Sequence, residues 1–342
     1  MQRCLQLAQL GTGNVAPNPM VGAVLVYGQR IIGEGYHQKF GELHAEVNCI
    51  NNVRIEEKKN IAESTLYVSL EPCVHFGKTP PCTNLIIENK IPNVVIGCRD
   101  SFEAVNGKGI EKLKTAGVNV VVGVLEKECL ELNKRFFTFH HQHRPFIILK
   151  WAQSSDGKVA GPGAERFLIS NEFTNRLVHK WRSEEAAILV GTNTALLDDP
   201  SLTTRLWPGN NPVRLVIDKE LKLPGTLKLF DGSFKTIVFN YHKQEEGKLI
   251  YYKLNKEENI ITQILAALYS LQMQSIIVEG GAKLLRSFID AGLWDEARII
   301  NNEQLTFGNG LNAPILKNNK LIQAEKIDDD VISFFIKETD KL

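Results

Sequence analysis

A histidine, a glutamate and two cysteines within residues 41–82 are the side chains of this sequence best placed to do chemistry. Gly41-Glu42-Leu43-His44-Ala45-Glu46 sets an imidazole two residues before a carboxylate, and Glu71-Pro72-Cys73 and Pro80-Pro81-Cys82 each set a cysteine after proline. His44, Cys73 and Cys82 are ligands suited to zinc, and three of them leave a fourth position for water, the catalytic rather than the structural arrangement. Glu46 is then left over to move protons. Taken singly, each residue reads as an ordinary core cysteine or surface side chain; in this order the four read as one site.

The elements that must position them are also visible. Leu43, Val47 and Ile50 fall at helical spacing, which puts His44 and Glu46 in the first turn of an amphipathic helix. Cys82 opens a second helical run, and Cys73 follows an apolar strand-like run that ends in Glu71-Pro72. Helix N-termini carry partial positive charge, which favours thiolate and so favours metal binding.

The order H-x-E, P-C, C resembles the zinc-deaminase signature, in which the glutamate is the proton carrier and not a ligand. That signature has two residues between its cysteines, whereas eight intervene here, Val74 to Pro81. The loop Pro-Cys-x-His-x-Gly-Lys-Thr-Pro-Pro-Cys, with Asn18-Pro19 and Gly35-Tyr36-His37 upstream, resembles the deaminase half of the bifunctional riboflavin-biosynthesis deaminase/reductases. The resemblance implies that Asn18, His37, His75 and Lys78 line a substrate pocket, with Lys78 meeting a substrate phosphate.

At 342 residues the chain is long enough for two domains of about 150 residues. Hydrophobic content of 43% and charged content of 23% are those of a globular protein. Forty basic residues against thirty-nine acidic give a net charge of +1, so no broad basic field exists to attract nucleic acid. No apolar run approaches the roughly 18 residues that span a bilayer. Six cysteines are too few for a disulfide scaffold, and Cys4, Cys49, Cys98 and Cys129 sit in apolar contexts as reduced core thiols. We therefore expect a cytoplasmic, homo-oligomeric enzyme (dimer or tetramer). The first helix begins at the first residue, so a few preceding residues are expected to be missing.

Gly11-Thr12-Gly13-Asn14-Val15-Ala16 matches a dinucleotide fingerprint, but it follows a helix and precedes a strand, so it reads as a helix end and loop. A hairpin of strands 20–27 and 30–36 comes next. Then follow the helix from about 43, a strand at 65–71, helix 82–89, strand 93–98, helix 109–116, strand 118–124 and helix 126–139. His140-His141-Gln142-His143-Arg144-Pro145 reads as a solvated linker rather than a second metal site, because no acid or cysteine accompanies it. The expected domains are 1–143 and 144–342. The second has strands at 146–151, 187–190, 213–217, 236–240, 249–254, 275–278, 298–300 and 331–336. Its helices are 171–183, capped by Ser170, then 260–271 and 282–291. The whole reads as α/β.

Strand, Glu279-Gly280-Gly281, helix is a phosphate-type junction, weak alone because such turns also serve packing. Gly191-Thr192-Asn193-Thr194 through Asp198-Asp199-Pro200 to Arg205 has a polar, ligand-holding composition; the alternative is a long surface loop. With Lys150-Trp151-Ala152, Ser155-Asp156-Gly157 and Arg182, these stretches resemble the reductase half of the same family. The resemblance implies a cytidine-deaminase-like first domain and a dihydrofolate-reductase-like second. It implies NADPH contacts at Ala152, Phe167, Thr194, Asp198, Lys219 and Gly281, with Phe167 where the family often has tryptophan. It implies contacts to a phosphoribosyl-pyrimidine substrate at Arg182, Leu202, Arg205 and Glu279. Two other readings stand beside it: a nucleoside or tRNA deaminase with an unrelated appended domain, and a zinc-stapled interaction protein, which would need a fourth protein ligand.

Overall fold

The structure, a computed structural model, describes residues 1–338 apart from 75, 77–79, 101–104 and 164–166. It divides into two units, Met1–His143 and Arg144–Leu342.

In the first unit, helix α1 (Gln2–Gln9) ends in the turns that hold Gly11 and Thr12, as a helix end rather than a nucleotide loop. Strands β1 (Gly22–Tyr27) and β2 (Arg30–Tyr36) form the expected antiparallel hairpin. Helix α2 (Ala45–Asn51), strand β3 (Thr65–Leu70), helix α3 (Cys82–Glu88), strand β4 (Asn93–Cys98), helix α4 (Lys108–Thr115) and strand β5 (Asn119–Val122) follow. The sheet order is β2-β1-β3-β4-β5, antiparallel at its leading edge and parallel from β3 to β5. Leu25, Leu66, Ile86, Ile96 and Leu113 are fully buried in its core. Each contributes about 1.5–3 kcal/mol relative to exposure.

One expected helix is two. Helix α5 (Glu126–Leu132) stops at Asn133 and α6 (Lys134–Gln142) restarts after it. The Asn133 side chain accepts from Met20 N at 2.8 Å and donates to Met20 O at 2.9 Å, a long-range bond pair that interrupts the helix. Helix α6 then runs through His140 and His141, where a solvated linker was expected, and the His140 ring packs 4.4 Å from that of Phe136.

The second unit comprises β6 (Phe146–Ser154), β7 (Lys158–Ala160), α7 (Glu172–Glu184), β8 (Ala187–Val190), α8 (Thr192–Asp198), β9 (Val213–Ile217), β10 (Thr236–Asn240) and β11 (Leu249–Lys253). After these come α9 (Ile260–Ser270), β12 (Ser275–Val278), α10 (Ala282–Asp290), β13 (Glu296–Asn302), β14 (Leu311–Asn312), β15 (Asn319–Ile327) and β16 (Asp330–Lys337). The large sheet runs β11-β10-β9-β8-β12-β6-β13-β16-β15, parallel from β11 to β13 and antiparallel beyond. Phe146 and Ile148 face one core, Ile147 and Leu149 the other, which is why β6 reads as an unbroken apolar run.

Two expectations in this unit are corrected, and strand β15 went unforeseen. Asn171, not Ser170, caps α7, its side chain accepting from Thr174 N at 2.9 Å. Helix α8 lies in the stretch read as a possible loop, because Thr192-Asn193-Thr194 has low helix propensity and only Ala195 is buried. Strand β15 is exposed along nearly its whole length, so no alternation marked it.

Candidate functional site

His44 caps α2, Cys82 is the first residue of α3, and Cys73 lies just past the carboxyl end of β3. This placement brings the three together. His44 Nδ1 lies 3.6 Å from Cys73 Sγ and 3.3 Å from Cys82 Sγ, and all three donor atoms fall within 4.8 Å of one another. Zinc bonds of about 2.3 Å to sulfur and 2.0–2.1 Å to nitrogen, set tetrahedrally, need donor separations of about 3.5–3.8 Å. The donor set fits zinc in chemistry and spacing. Among the described residues the cluster holds these three donors and no fourth.

Cys73 is gripped from both sides. Thr83 donates to its carbonyl through both backbone N and Oγ1, at 3.2 and 3.1 Å, and Cys82 N donates to its sulfur at 3.3 Å. The Cys82 thiol, His44 and that backbone N–H hold the Cys73 thiol below its usual range despite burial. Glu46, in the first turn of α2, is 3% exposed, and burial beside the Cys73 sulfur pushes its carboxyl up.

His37 and Asn18 lie beside this cluster. His37 Nδ1 is 3.0 Å from the Leu43 carbonyl and its Nε2 is 3.0 Å from Asn18 Nδ2. Its ring meets that of His44 edge to face at 5.6 Å. His75 and Lys78 lie outside the described residues. The residue that sequence reasoning missed is Glu71: its buried carboxylate accepts four backbone N–H groups, from Asp100, Gly107, Gly109 and Ile110.

The second cluster surrounds Glu279, which follows β12. Arg182 on α7 donates to it twice, Nε to Oε1 at 2.8 Å and Nη2 to Oε2 at 2.7 Å. Strand β12 ends opposite Leu149, so Lys150 and Ala152 of β6 project past it, and Lys150 Nζ stands 3.6 Å from Glu279 Oε2. Arg182 Nη1 donates to the Thr203 carbonyl at 3.2 Å, fixing the segment that carries Leu202 and Arg205. Burial would raise the Glu279 carboxyl, but Arg182 and Lys150 outweigh it and hold the group at about 2. Burial pulls the Lys150 ammonium down against the attraction of Glu279. His179 is brought to about 4 by burial and by the positive charges of Arg182 and Arg205. Two cations around one carboxylate leave net positive charge, which suits a phosphate.

Leu202 sits at φ 52° with its side chain in the core. Thr194 on α8 faces the turn at Gly281: a Cβ there, at φ 60°, would stand 3.1 Å from Thr194 Oγ1. Asp198 closes α8, and Lys219 follows β9 with its ammonium 5.9 Å from the Tyr241 ring centroid. These residues lie at the carboxyl edge of β8, β9 and β12, where ligands of open α/β sheets bind. Phe167 is half exposed and packs edge to face on Phe307 at 5.4 Å. Lys150 carried a signal, a lysine inside an apolar strand run; His179 carried none.

Comparison with known proteins finds a family match in each unit. The cytidine and deoxycytidylate deaminase zinc-binding region matches residues 1–98, and the RibD C-terminal domain matches residues 145–331. The riboflavin biosynthesis protein RibD of Aquifex aeolicus is 39% identical over 98% of this chain and 97% of its own. The chain belongs to the RibD family. The RibD of Escherichia coli is 34% identical over 86% of this chain and 84% of its own. The crystal structure of a diaminohydroxyphosphoribosylaminopyrimidine deaminase/5-amino-6-(5-phosphoribosylamino)uracil reductase from Thermotoga maritima superposes with TM-score 0.91. It has 36% identity and covers 98% of this chain and 97% of that one. The chain is thus a bifunctional deaminase and reductase of riboflavin biosynthesis, with a cytidine-deaminase-like first domain and a dihydrofolate-reductase-like second. Its cofactors are zinc and NADPH. An unrelated appended domain and a zinc-stapled interaction protein are both set aside by these matches. No helix among the described residues is long and apolar enough to cross a membrane.

Proposed function

We propose that the first unit deaminates 2,5-diamino-6-(5-phosphoribosylamino)pyrimidin-4(3H)-one at His44, Glu46, Cys73 and Cys82. The second unit then reduces 5-amino-6-(5-phosphoribosylamino)uracil at the Arg182–Glu279 cluster. The observation that carries this reading is the three-donor cluster with a buried glutamate in the adjoining helical turn. His44, Cys73 and Cys82 would hold zinc, which supplies Lewis acidity toward water. Glu46 takes a proton from the incoming water and returns it to the departing 2-amino group, which leaves as ammonia. Its burial shields that proton from bulk water between the two transfers. Asn18 and His37 orient the ring, and His75 and Lys78 serve the same pocket.

In the second unit bound NADPH would supply a hydride to the ribosyl C1, and a proton taken up from solvent would complete the reduction to the ribityl CH2. Arg182, Arg205, Glu279 and the Leu202 backbone position the phosphoribosyl group. Ala152, Phe167, Thr194, Asp198, Lys219 and Gly281 position NADPH. We further infer a homo-oligomer of two or four chains in the cytoplasm. The open-edge strand β15, exposing Leu321 and Ile322, and six free cysteines support it. Supplying the purified protein with the diaminopyrimidine and NADPH, and following ammonia release and NADPH oxidation separately, tests both halves. Ammonia release without NADPH, then oxidation once deamination has proceeded, is expected; absence of either activity refutes the corresponding half.

A further inference from the structure

Glu71 has no place among the ligands or proton carriers, yet its carboxylate is 4% exposed and more fully engaged than the other site carboxylates. Oε1 accepts from Gly109 N at 2.9 Å and Ile110 N at 3.2 Å, in the first turn of α4. Oε2 accepts from Gly107 N at 3.0 Å and Asp100 N at 3.2 Å, in the connection between β4 and α4. Its own backbone N donates to the Cys98 carbonyl at 3.0 Å. Four backbone N–H groups, two of them in the first turn of α4, thus converge on this one buried carboxylate. It therefore pins the strand end that carries Cys73 to α4.

The packing on that strand end is just as close. A Cβ at Gly109 would stand 2.2 Å from the Pro72 carbonyl oxygen, so α4 abuts the backbone one residue before the ligand. On the other side Thr83 and Cys82 hold Cys73 from the start of α3. The ligand thus sits in a clamp with α3 on one side and α4 on the other, and Glu71 is the polar half of the α4 jaw.

We propose that Glu71 is a positioning residue of the metal centre, fixing Cys73 at its distance from His44 and Cys82 through α4. This rests on the reading of Cys73 as a zinc ligand. Groups that orient metal ligands commonly contribute about 10- to 100-fold in metal affinity, and the same range is expected here. Glutamine keeps the volume but turns two N–H donors toward two backbone N–H groups. Glu71→Gln should therefore bind zinc about 10- to 100-fold more weakly than wild type. Glu71→Asp keeps the charge with a shorter reach and should fall between them. Gly109→Ala keeps the carboxylate, but its Cβ would press on the Pro72 carbonyl oxygen and stand 3.0 Å from Glu71 Oε1, and should weaken zinc binding as well.

The experiment is zinc titration of metal-free protein against a competing chelator, with thermal unfolding of each metal-free variant. Weaker zinc binding by Glu71→Gln and Gly109→Ala, beyond what their metal-free unfolding temperatures reflect, supports the proposal. Wild-type zinc affinity in folded Glu71→Gln overturns it while leaving the site intact. If Glu71→Gln does not fold, wild-type affinity in Gly109→Ala overturns it instead. A Cys73→Ser protein that binds zinc like wild type overturns the ligand reading itself, and the proposal with it.

Discussion

Asn18 Nδ2 and His37 Nε2 lie 3.0 Å apart, and the arrangement fixes which of them donates. The other ring nitrogen of His37 faces the Leu43 carbonyl, which can only accept, so Nδ1 carries the proton. Burial lowers the pKa of His37 and keeps the ring neutral, so Nε2 accepts and the Asn18 amide donates. The Asn18 side chain is thereby locked with its oxygen as the remaining acceptor.

Asn18→Asp removes that donor and sets a carboxylate against a ring nitrogen that can only accept. Steady-state kinetics of ammonia release should show kcat/KM lowered about 10- to 100-fold, the scale of one lost charge-free hydrogen bond plus an unpaired buried group. Zinc content should be unchanged. Wild-type kcat/KM would remove Asn18 from the substrate pocket.

Cys73→Ser and Cys82→Ser should each lower bound zinc well below one per chain, since a hydroxyl is a poor substitute for thiolate on zinc. Metal analysis after dialysis checks it. Full occupancy in both variants would contradict the ligand assignment.

Arg205→Ala should raise the KM for the phosphoribosyl substrate of the reductase more than the KM for NADPH. Arg182 cannot substitute for it, because three of its N–H groups already face Glu279 and the Thr203 carbonyl. An effect on NADPH alone would place Arg205 on the cofactor.

His179 gives the second unit an acid limit. Its pKa of about 4 in the fold lies below the ordinary value of 6.5, so the unfolded chain binds its proton first. Stability from this group is complete above about pH 6.5 and is lost as pH falls toward 4, where charging puts a cation beside Arg182, Arg205 and Lys150. Thermal unfolding between pH 7 and pH 4.5 should show a fall that is shallower in His179→Gln. Equal slopes in both proteins would remove His179 as the cause.

The zinc centre was legible because its residues mark their own elements: His44 and Cys82 stand at helix starts and Cys73 at a strand end. Strands β6, β8, β9, β10 and β12 were legible because burial on both faces makes continuous apolar runs. What escaped depends on partners distant in sequence. Glu71 looks like the tail of a strand until Asp100, Gly107, Gly109 and Ile110 meet its carboxylate, and the break at Asn133 exists because Met20 holds its side chain. Strand β15 escaped for the opposite reason, since exposure along nearly its whole length leaves no pattern to read.

Glu46→Gln is the most direct test of the central claim that Glu46 moves the proton and is not a metal ligand. Glutamine keeps the volume and the helix but cannot accept and return a proton. Loss of a positioned acid–base group costs on the order of 10²- to 10⁴-fold, and one residue acting at both transfers favours the upper end. The account predicts a protein with full zinc, deaminase activity lowered to that extent, and undiminished NADPH-dependent reduction of substrate supplied already deaminated. Deamination near the wild-type rate, or loss of zinc from the variant, would contradict it.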